Sequence, residues 1–304
     1  MLSREAILSA FSGIFPLRAH KNFIFLLVGF ARLSRRFTFG GILAFALLTS
    51  VVTIALLPHV FSSYDPIEVS PESIFVPPSL NHPFGTDNLG RDIFSRVVFG
   101  ARTTLGFALM ANAISITLST LFGILAAFRG GWLDSLIMRV VDILLAFPGI
   151  LLALIMVSFL GPGLATAMVS VGFGQTPGFV RIVRGSALNV RANLYVEAAR
   201  AMGASDARIL RRHILPNVRH TLIVLTTFGF GAAILIGSSL SFLGLGAQPP
   251  TPEWGSMLGQ ARGYVRTYWW VATLPGSVLA VVLLSINIVG DQLRDILDPR
   301  LRLG

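Results

Sequence analysis

The sequence predicts an all-α membrane protein with six transmembrane helices and both termini in the cytoplasm. Three observations carry this expectation: a composition too apolar for a soluble domain, six charge-free stretches of spanning length, and basic residues gathered on alternate connecting segments. Of the 304 residues, 54% are hydrophobic and only 12% charged, where a soluble domain carries about 25% charged residues. A soluble globular enzyme is thereby excluded as the default.

A bilayer core about 30 Å thick is crossed by about 20 apolar helical residues, because unpaired backbone groups are not tolerated in hydrocarbon. Six stretches meet this requirement: Phe39 to Leu57, Thr103 to Phe128, Ile143 to Leu160, Pro162 to Val180, Thr221 to Gly246, and Trp269 to Gly290. A shorter apolar run, Phe23 to Ala31, lies between Lys21 and Arg32 and reads as an interfacial helix. The expected organisation is a basic cytoplasmic tail over 1–38, a first span over 39–57, a periplasmic segment over 58–102, and a five-helix core over 103–304 with a cytoplasmic loop at 181–220.

Orientation follows from charge. With the amino terminus inside, 19 of the 24 basic residues face inward, 8 of them arginines of the loop 181–220, and Arg32, Arg35 and Arg36 flank the first span. The positive-inside rule favours this arrangement. It also explains most of the +10 net charge as topology and attraction to anionic lipid. No aromatic-interleaved basic groove points to nucleic acid. The first span reads as an uncleaved anchor, because a basic tail of about 36 residues precedes it and Pro58 and His59 follow it where a cleavage site needs small residues.

Catalytic chemistry finds few residues. The chain has no cysteine, and Lys21, its one lysine, follows His20 rather than the glycine of a phosphate-binding loop. No HExxH, no GxSxG and no pair of intramembrane aspartates supports an intramembrane enzyme. A self-sufficient channel or secondary carrier predicts ionised residues inside the spans, and the six stretches contain none.

The loop 181–220 holds the distinctive pattern. Over Arg191 to Pro216, RANLYVEAARAMGASDARILRRHILP, residues Tyr195, Ala198, Ala199 and Met202 recur at helical spacing. Gly203 interrupts, Ser205 stands as an N-cap with Asp206 in the first turn, and a second short helix is expected to close before Pro216. The run Glu197-Ala198-Ala199, then Gly203, then Leu215-Pro216 resembles the EAA motif of permease subunits in bacterial ATP-binding-cassette importers. The family usually has isoleucine two residues before the leucine, where this chain has His213. The resemblance implies a coupling helix that docks on an ATPase subunit through Glu197, Ala198, Ala199, Gly203, Ala204, Ser205, Leu215 and Pro216. The alternative is a solvated basic loop with a coincidental motif.

Two outward motifs narrow the resemblance. FGTDNLGRDIFSR (Phe84 to Arg96) and SFLGLGAQPPTPEWG (Ser241 to Gly255), with the tail GDQLRDILDPRLR (Gly290 to Arg302), are similar to the second permease subunit of dipeptide, oligopeptide and nickel importers, over about residues 40–304. Taken on their own, Asp87 with Arg91 and Asp92 with Arg96 have the spacing to pair along a helix turn, either as a self-neutralised helix or as a docking surface for a solute-binding protein. Glu253 at the external mouth has two roles open, meeting a peptide amino group or being solvated, and Trp254 is of the type that anchors at an interface.

Within the spans, Gly229, Ala233, Gly237 and Ser241 form a small-residue stripe for close helix packing. Asn112, Gln175, Ser238 and Asn287 are candidates for a pathway wall or for interhelical hydrogen bonds. Pro148, Pro177 and Pro275 stand as hinges or static kinks, and Asp142 has Arg139 three residues before it as an ion-pair partner. The resemblance implies a type I importer permease fold in the bacterial inner membrane, with a second permease, two ATPases, a periplasmic or lipid-anchored solute-binding protein and membrane lipid as partners. It implies no cofactor on this chain, since ATP and magnesium belong to the ATPases. The implied cargo is di- or oligopeptide, with nickel chelates, glutathione or opines as alternatives.

Overall fold

A computed structural model describes residues 38–297; the expected interfacial helix at Phe23 to Ala31 and the end of the Gly290 to Arg302 motif lie outside the described residues. The chain divides into two units, Met1–Leu43 and Ala44–Gly304. Of the first, only 38–43 are described, the opening of a helix in which Gly41 N donates to Thr38 Oγ1.

The described residues form helices α1 (Phe39–Leu56), α2 (Pro58–Phe61), α3 (Ile93–Arg129), α4 (Gly131–Leu145), α5 (Gly149–Leu160), α6 (Leu164–Arg191), α7 (Leu194–Ala201), α8 (Asp206–Ile209), α9 (Leu215–Phe242), α10 (Trp254–Ala261) and α11 (Trp270–Leu297), with a short 3-10 turn at Pro71–Ser73. A π-turn, Leu210–Ile214, joins α8 to α9. No strand occurs among the described residues; Thr86 and Asp92 form an isolated antiparallel bridge.

Among the described residues, four helical stretches are long and apolar enough to cross a membrane: Phe39–Leu56, Ile93–Arg129, Asp206–Phe242 and Trp270–Ile296. A fifth crossing is added if α4 and α5 count as one span, although they are bent by 91°. The third expected span, Ile143 to Leu160, is therefore not a straight helix. Pro148 caps α5 from an extended conformation, as the missing N–H and ring of proline require, and α4 ends before it. The fourth expected span corresponds to α6. Its 28 residues extend about 42 Å, enough to cross, but its middle carries Gln175 and several small residues and is less apolar than the others. That composition suits its position, with Ala167, Val171, Gly172, Gly174, Val180 and Val183 buried.

The core is built where small residues let helices approach. A side chain at Gly172 would meet the Ala111 carbonyl at 2.6 Å, and one at Gly123 would meet Val183 at 2.9 Å. Residues 111 and 123 of α3 thus match 172 and 183 of α6 in rising order, so the two long helices run in the same direction. The bent α4–α5 pair is the return between them, with Gly149 against the Gly174 carbonyl at 3.0 Å. The α9 stripe packs similarly, since a Cβ on Gly237 would lie 2.1 Å from the Phe107 ring. Pro177 and Pro275 sit inside continuous helices.

Candidate functional site

The loop between α6 and α9 is clamped from below and open above. Val196 and Ala199 of α7 are buried, together with Ile209 and Ile214. Val196, Ile209 and Ile214 join Ile124 and Ala127 of α3, Val183 and Ala187 of α6, and Val218 and Leu225 of α9 in one apolar cluster. The Arg191 guanidinium donates to the Ala127 carbonyl at 2.7 Å, fastening the end of α6 to that of α3. Leu194 and Met202, by contrast, are 81% and 82% exposed, and Tyr195, Glu197, Ala198, Gly203 and Ser205 are also exposed. The buried side is therefore Val196 and Ala199, while Tyr195, Ala198 and Met202 of the helically spaced set stay exposed. Burial of Val196, a β-branched residue larger than its alanine neighbours, turns Tyr195 and Met202 outward.

Gly203 adopts φ +81°, a conformation that L side chains rarely occupy. It closes α7: Gly203 N donates to Arg200 O, and Ala204 N to Ala199 O. Ser205 precedes α8 but makes no side-chain cap. The second helix does not close before Pro216. It passes through the π-turn into α9, with Pro216 in the first turn, where its missing N–H costs least and the wider turn accommodates the ring. His213 stacks obliquely on Tyr195, ring centroids 5.8 Å apart, so this position tethers α7 to the π-turn.

Asn112, Gln175, Ser238 and Asn287 have different surroundings. Asn112 is buried and its Nδ2 donates to the Thr226 carbonyl at 2.7 Å, while its Oδ1 and both polar atoms of Gln175 lack a protein partner. Ser238 bonds Glu253, and twelve residues of α9, about 18 Å, separate it from Thr226. Asn287 is exposed on α11. A largely apolar groove of about 570 Å³ runs between α1, α3, α9 and α11, with Asn112 and Arg102 among its lining residues.

In the two motifs expected to face outward, several polar and aromatic side chains are engaged within the fold. Residues 85–92 form turns, not a helix. Asp87 Oδ2 does pair with Arg91 Nε at 2.7 Å, but Arg96 approaches Asp87 at 3.7 Å rather than Asp92. Asp92 instead caps α3, accepting from Ser95 N and Oγ, and pairs with His82 at 2.9 Å. Glu253, expected at an open mouth, is 2% exposed and caps α10 by accepting from Gly255 N at 3.0 Å and Ser256 N at 2.8 Å. Trp254, expected at a lipid interface, is 1% exposed and donates to the Val97 carbonyl. Arg91 is 3% exposed and so presents no docking surface here.

Asp142 pairs with Arg181, not with the expected Arg139. Asp134 holds Arg184 through two bonds of 2.5 and 2.6 Å. Sequence reasoning missed these two pairs, because residues 39 and 50 positions apart leave no local signal.

Helices of spanning length around small-residue contacts, with a basic connecting loop anchored to three helix ends, define a multi-pass helical membrane protein of the transport-permease class. Solved structures agree on the fold: a chain of the MetNI methionine ABC transporter in an inward-facing conformation matches with a TM-score of 0.56 and 24% identity, covering 67% of this chain and 96% of that one. An amino acid ABC transporter matches with a TM-score of 0.52 and 14% identity, covering 67% and 95%. Residues 119–303 match the family described as binding-protein-dependent transport system inner membrane component, and the chain belongs to that family. It is 41% identical to a dipeptide transport system permease protein of Alkalihalophilus pseudofirmus, over 86% of each chain. It is 45% identical to a putative peptide transport system permease protein of Brucella suis, over 89% of this chain and 90% of that one, and 48% identical to a glutathione transport system permease protein of Escherichia coli, over 74% of each. The chain is a permease subunit of an ATP-binding-cassette importer, a transport component and not an enzyme.

Proposed function

We propose that this permease carries di- or oligopeptides across the bacterial inner membrane, and that α7 couples it to ATP hydrolysis in partner subunits. The observation that carries the coupling role is the contrast within one short helix: Val196 anchored in the cluster at the ends of α3, α6 and α9 with Ala199 buried on the same side, and Leu194, Tyr195 and Met202 presented outward. An apolar face on a firmly held helix suits insertion into a cleft of a partner, with Glu197, Ala198, Gly203, Ala204 and Ser205 shaping the contact and Leu215 and Pro216 setting the turn into α9. The partners are a second permease, two ATPases that bind ATP and magnesium, and a periplasmic or lipid-anchored solute-binding protein. The peptide assignment rests on the dipeptide and peptide relatives; the glutathione relative favours a second reading, a γ-linked tripeptide as cargo.

Six crossings with both termini inside remain the proposed topology, with the basic tail 1–38 cytoplasmic and 58–102 periplasmic. Because the chain has no cysteine, single cysteines at positions 65, 195 and 262 report sidedness directly. Labelling of 65 and 262 from outside and of 195 only after permeabilisation is expected; the reverse pattern overturns the orientation. Coupling is tested by purifying the tagged chain from its native membrane beside Glu197→Lys and Gly203→Trp. ATPases and a second permease accompany the wild type, and the ATPases are lost from both variants while the second permease stays. ATPases retained at wild-type level in both variants would sink the docking role. Uptake of labelled dipeptide and of glutathione in membranes with the whole importer separates the two cargoes.

A further inference from the structure

The groove of about 570 Å³ between α1, α3, α9 and α11 contains one charged group, and that group has no protein partner. Arg102 lines the groove, is exposed, and makes no hydrogen bond or ion pair among the described residues. No carboxylate shares the wall with it. The other polar groups there are already committed to the fold: Thr226 Oγ1 donates to Leu222 O at 2.7 Å and Thr227 Oγ1 to Ile223 O at 3.1 Å, as hydroxyls within helices commonly do. Asn112 Nδ2 donates to Thr226 O, and its Oδ1 is buried against Gly229. What remains of the wall is hydrocarbon, from Leu48 and Leu56 of α1, Leu105 and Leu109 of α3, and Phe230 of α9.

The place of Arg102 along α3 gives the groove a depth. The charge-free run from Arg102 to Arg129 rises about 40 Å, close to the thickness of a bilayer with its headgroup layers, about 40–45 Å. The two arginines therefore stand at opposite headgroup levels. From Arg102 the groove descends to Asn112, a rise of about 15 Å, and so stays within one leaflet of a hydrocarbon core about 30 Å thick. α1, which forms one wall, is the least buried of the four spanning helices: 17% of its spanning window is buried, against 33–39% in the others.

We propose that this groove seats one anionic phospholipid, its phosphate on the Arg102 guanidinium and one acyl chain along the hollow toward Asn112. Guanidinium and phosphate match in charge and in paired hydrogen bonds, and an acyl chain is as apolar as the leucine wall. An apolar helix in the same place would bury the guanidinium without a counter-charge, which is unfavourable. Under the proposed topology the lipid belongs to the outer leaflet. It ties the outer half of α1 to α3, α9 and α11, and the inference goes beyond the transport role.

The full chain, purified in mild detergent and stripped of lipid, is melted with dioleoyl phosphatidylglycerol or with dioleoyl phosphatidylcholine. Phosphatidylglycerol is expected to raise the midpoint by about 3 °C or more in a saturable manner, and phosphatidylcholine to leave it near the lipid-free value. Arg102→Gln removes the shift. So does Gly106→Leu, which keeps Arg102 and fills the groove from a position where an added Cβ meets nothing within 4 Å; this variant separates a seated lipid from attraction of anionic lipid to an exposed arginine. Equal shifts with the two lipids in the wild type, or a phosphatidylglycerol shift that survives in either variant, overturns the proposal. In membranes holding the whole importer, a photo-crosslinker at Leu109 is expected to couple to phospholipid. Coupling to the second permease instead also overturns it and assigns the groove to a subunit contact.

Discussion

Glu253 separates a structural from a transport role at the start of α10. Its carboxylate takes the N–H groups of Gly255 and Ser256 and the hydroxyls of Thr104 and Ser238. Glu253→Ala removes the cap of α10, stranding the two buried N–H groups it accepts from, and also strands the Ser238 hydroxyl, each at about 1 kcal/mol or more. Thr104 loses less, because its Oγ1 also accepts from Trp254 N. The sum is about 3 kcal/mol, which at roughly 2–4 °C per kcal/mol lowers the melting midpoint by about 6–12 °C. Glu253→Gln keeps an oxygen for Gly255 N but sets an amide NH₂ against one of the remaining donors, and should cost about 1–2 kcal/mol. Thermal melting of the purified chain is paired with uptake normalised to folded protein in the membrane. Normalised uptake should stay near wild type in Glu253→Gln. A Gln variant with an unchanged midpoint and abolished uptake would refute the capping account and return Glu253 to a role in handling cargo.

Two further outcomes follow from close contacts. Gly237→Ala places a methyl 2.1 Å from the Phe107 ring and should destabilise by about 1–3 kcal/mol, with Phe107→Leu restoring part of the loss in the double variant, measured by melting. Asp134→Asn and Arg184→Gln should each cost about 1–2 kcal/mol, since the bidentate pair is partly buried, and a double-mutant cycle should show coupling of at least 0.5 kcal/mol; additive losses would remove the α4–α6 tie from the account.

Helices and their approximate limits were legible because hydrocarbon imposes a simple rule, a long apolar run without charge, and because glycine spacing marks close approach. What the rule does not contain is direction. Pro148 announced a break, but the 91° bend depends on how α4 ties to α6 through Asp134 and Asp142. The turn before α3 shows a similar limit. Alternating charges correctly joined Asp87 to Arg91, yet Arg96 found Pro66 and Arg91 found Gln260, partners that no local spacing encodes. Glu253 looked like a rim carboxylate because glutamate is an uncommon helix cap; only the fold of 238–256 back on itself, with Gly255 against the Ser238 backbone, puts it inside. The EAA pattern was visible as a motif, but which of its residues face outward was decided by Val196, a residue the motif does not name.

Rigidity and compliance are unevenly distributed, and this bears on how the proposed coupling works. The cluster containing Val196, Ile209 and Ile214 also contains residues of α3, α6 and α9, and Arg191 bonds the α3 terminus. A push on α7 therefore moves three helix ends together; close packing leaves little room for the loop to slide alone. Backbone bonding is already interrupted at the π-turn before Pro216, at the break at 146–148, and at Pro177 and Pro275 within their helices. The Asp87–Arg91–Arg96 turn, the Asp92 cap and the Glu253 cap fasten the opposite end of α3 to α10 and to the segment before α3. α3 is thus held at both ends, by an apolar block on one side and a polar clasp on the other. The two ends differ in kind, so loosening the polar clasp should lower stability while leaving the α7 face and its proposed ATPase contact intact.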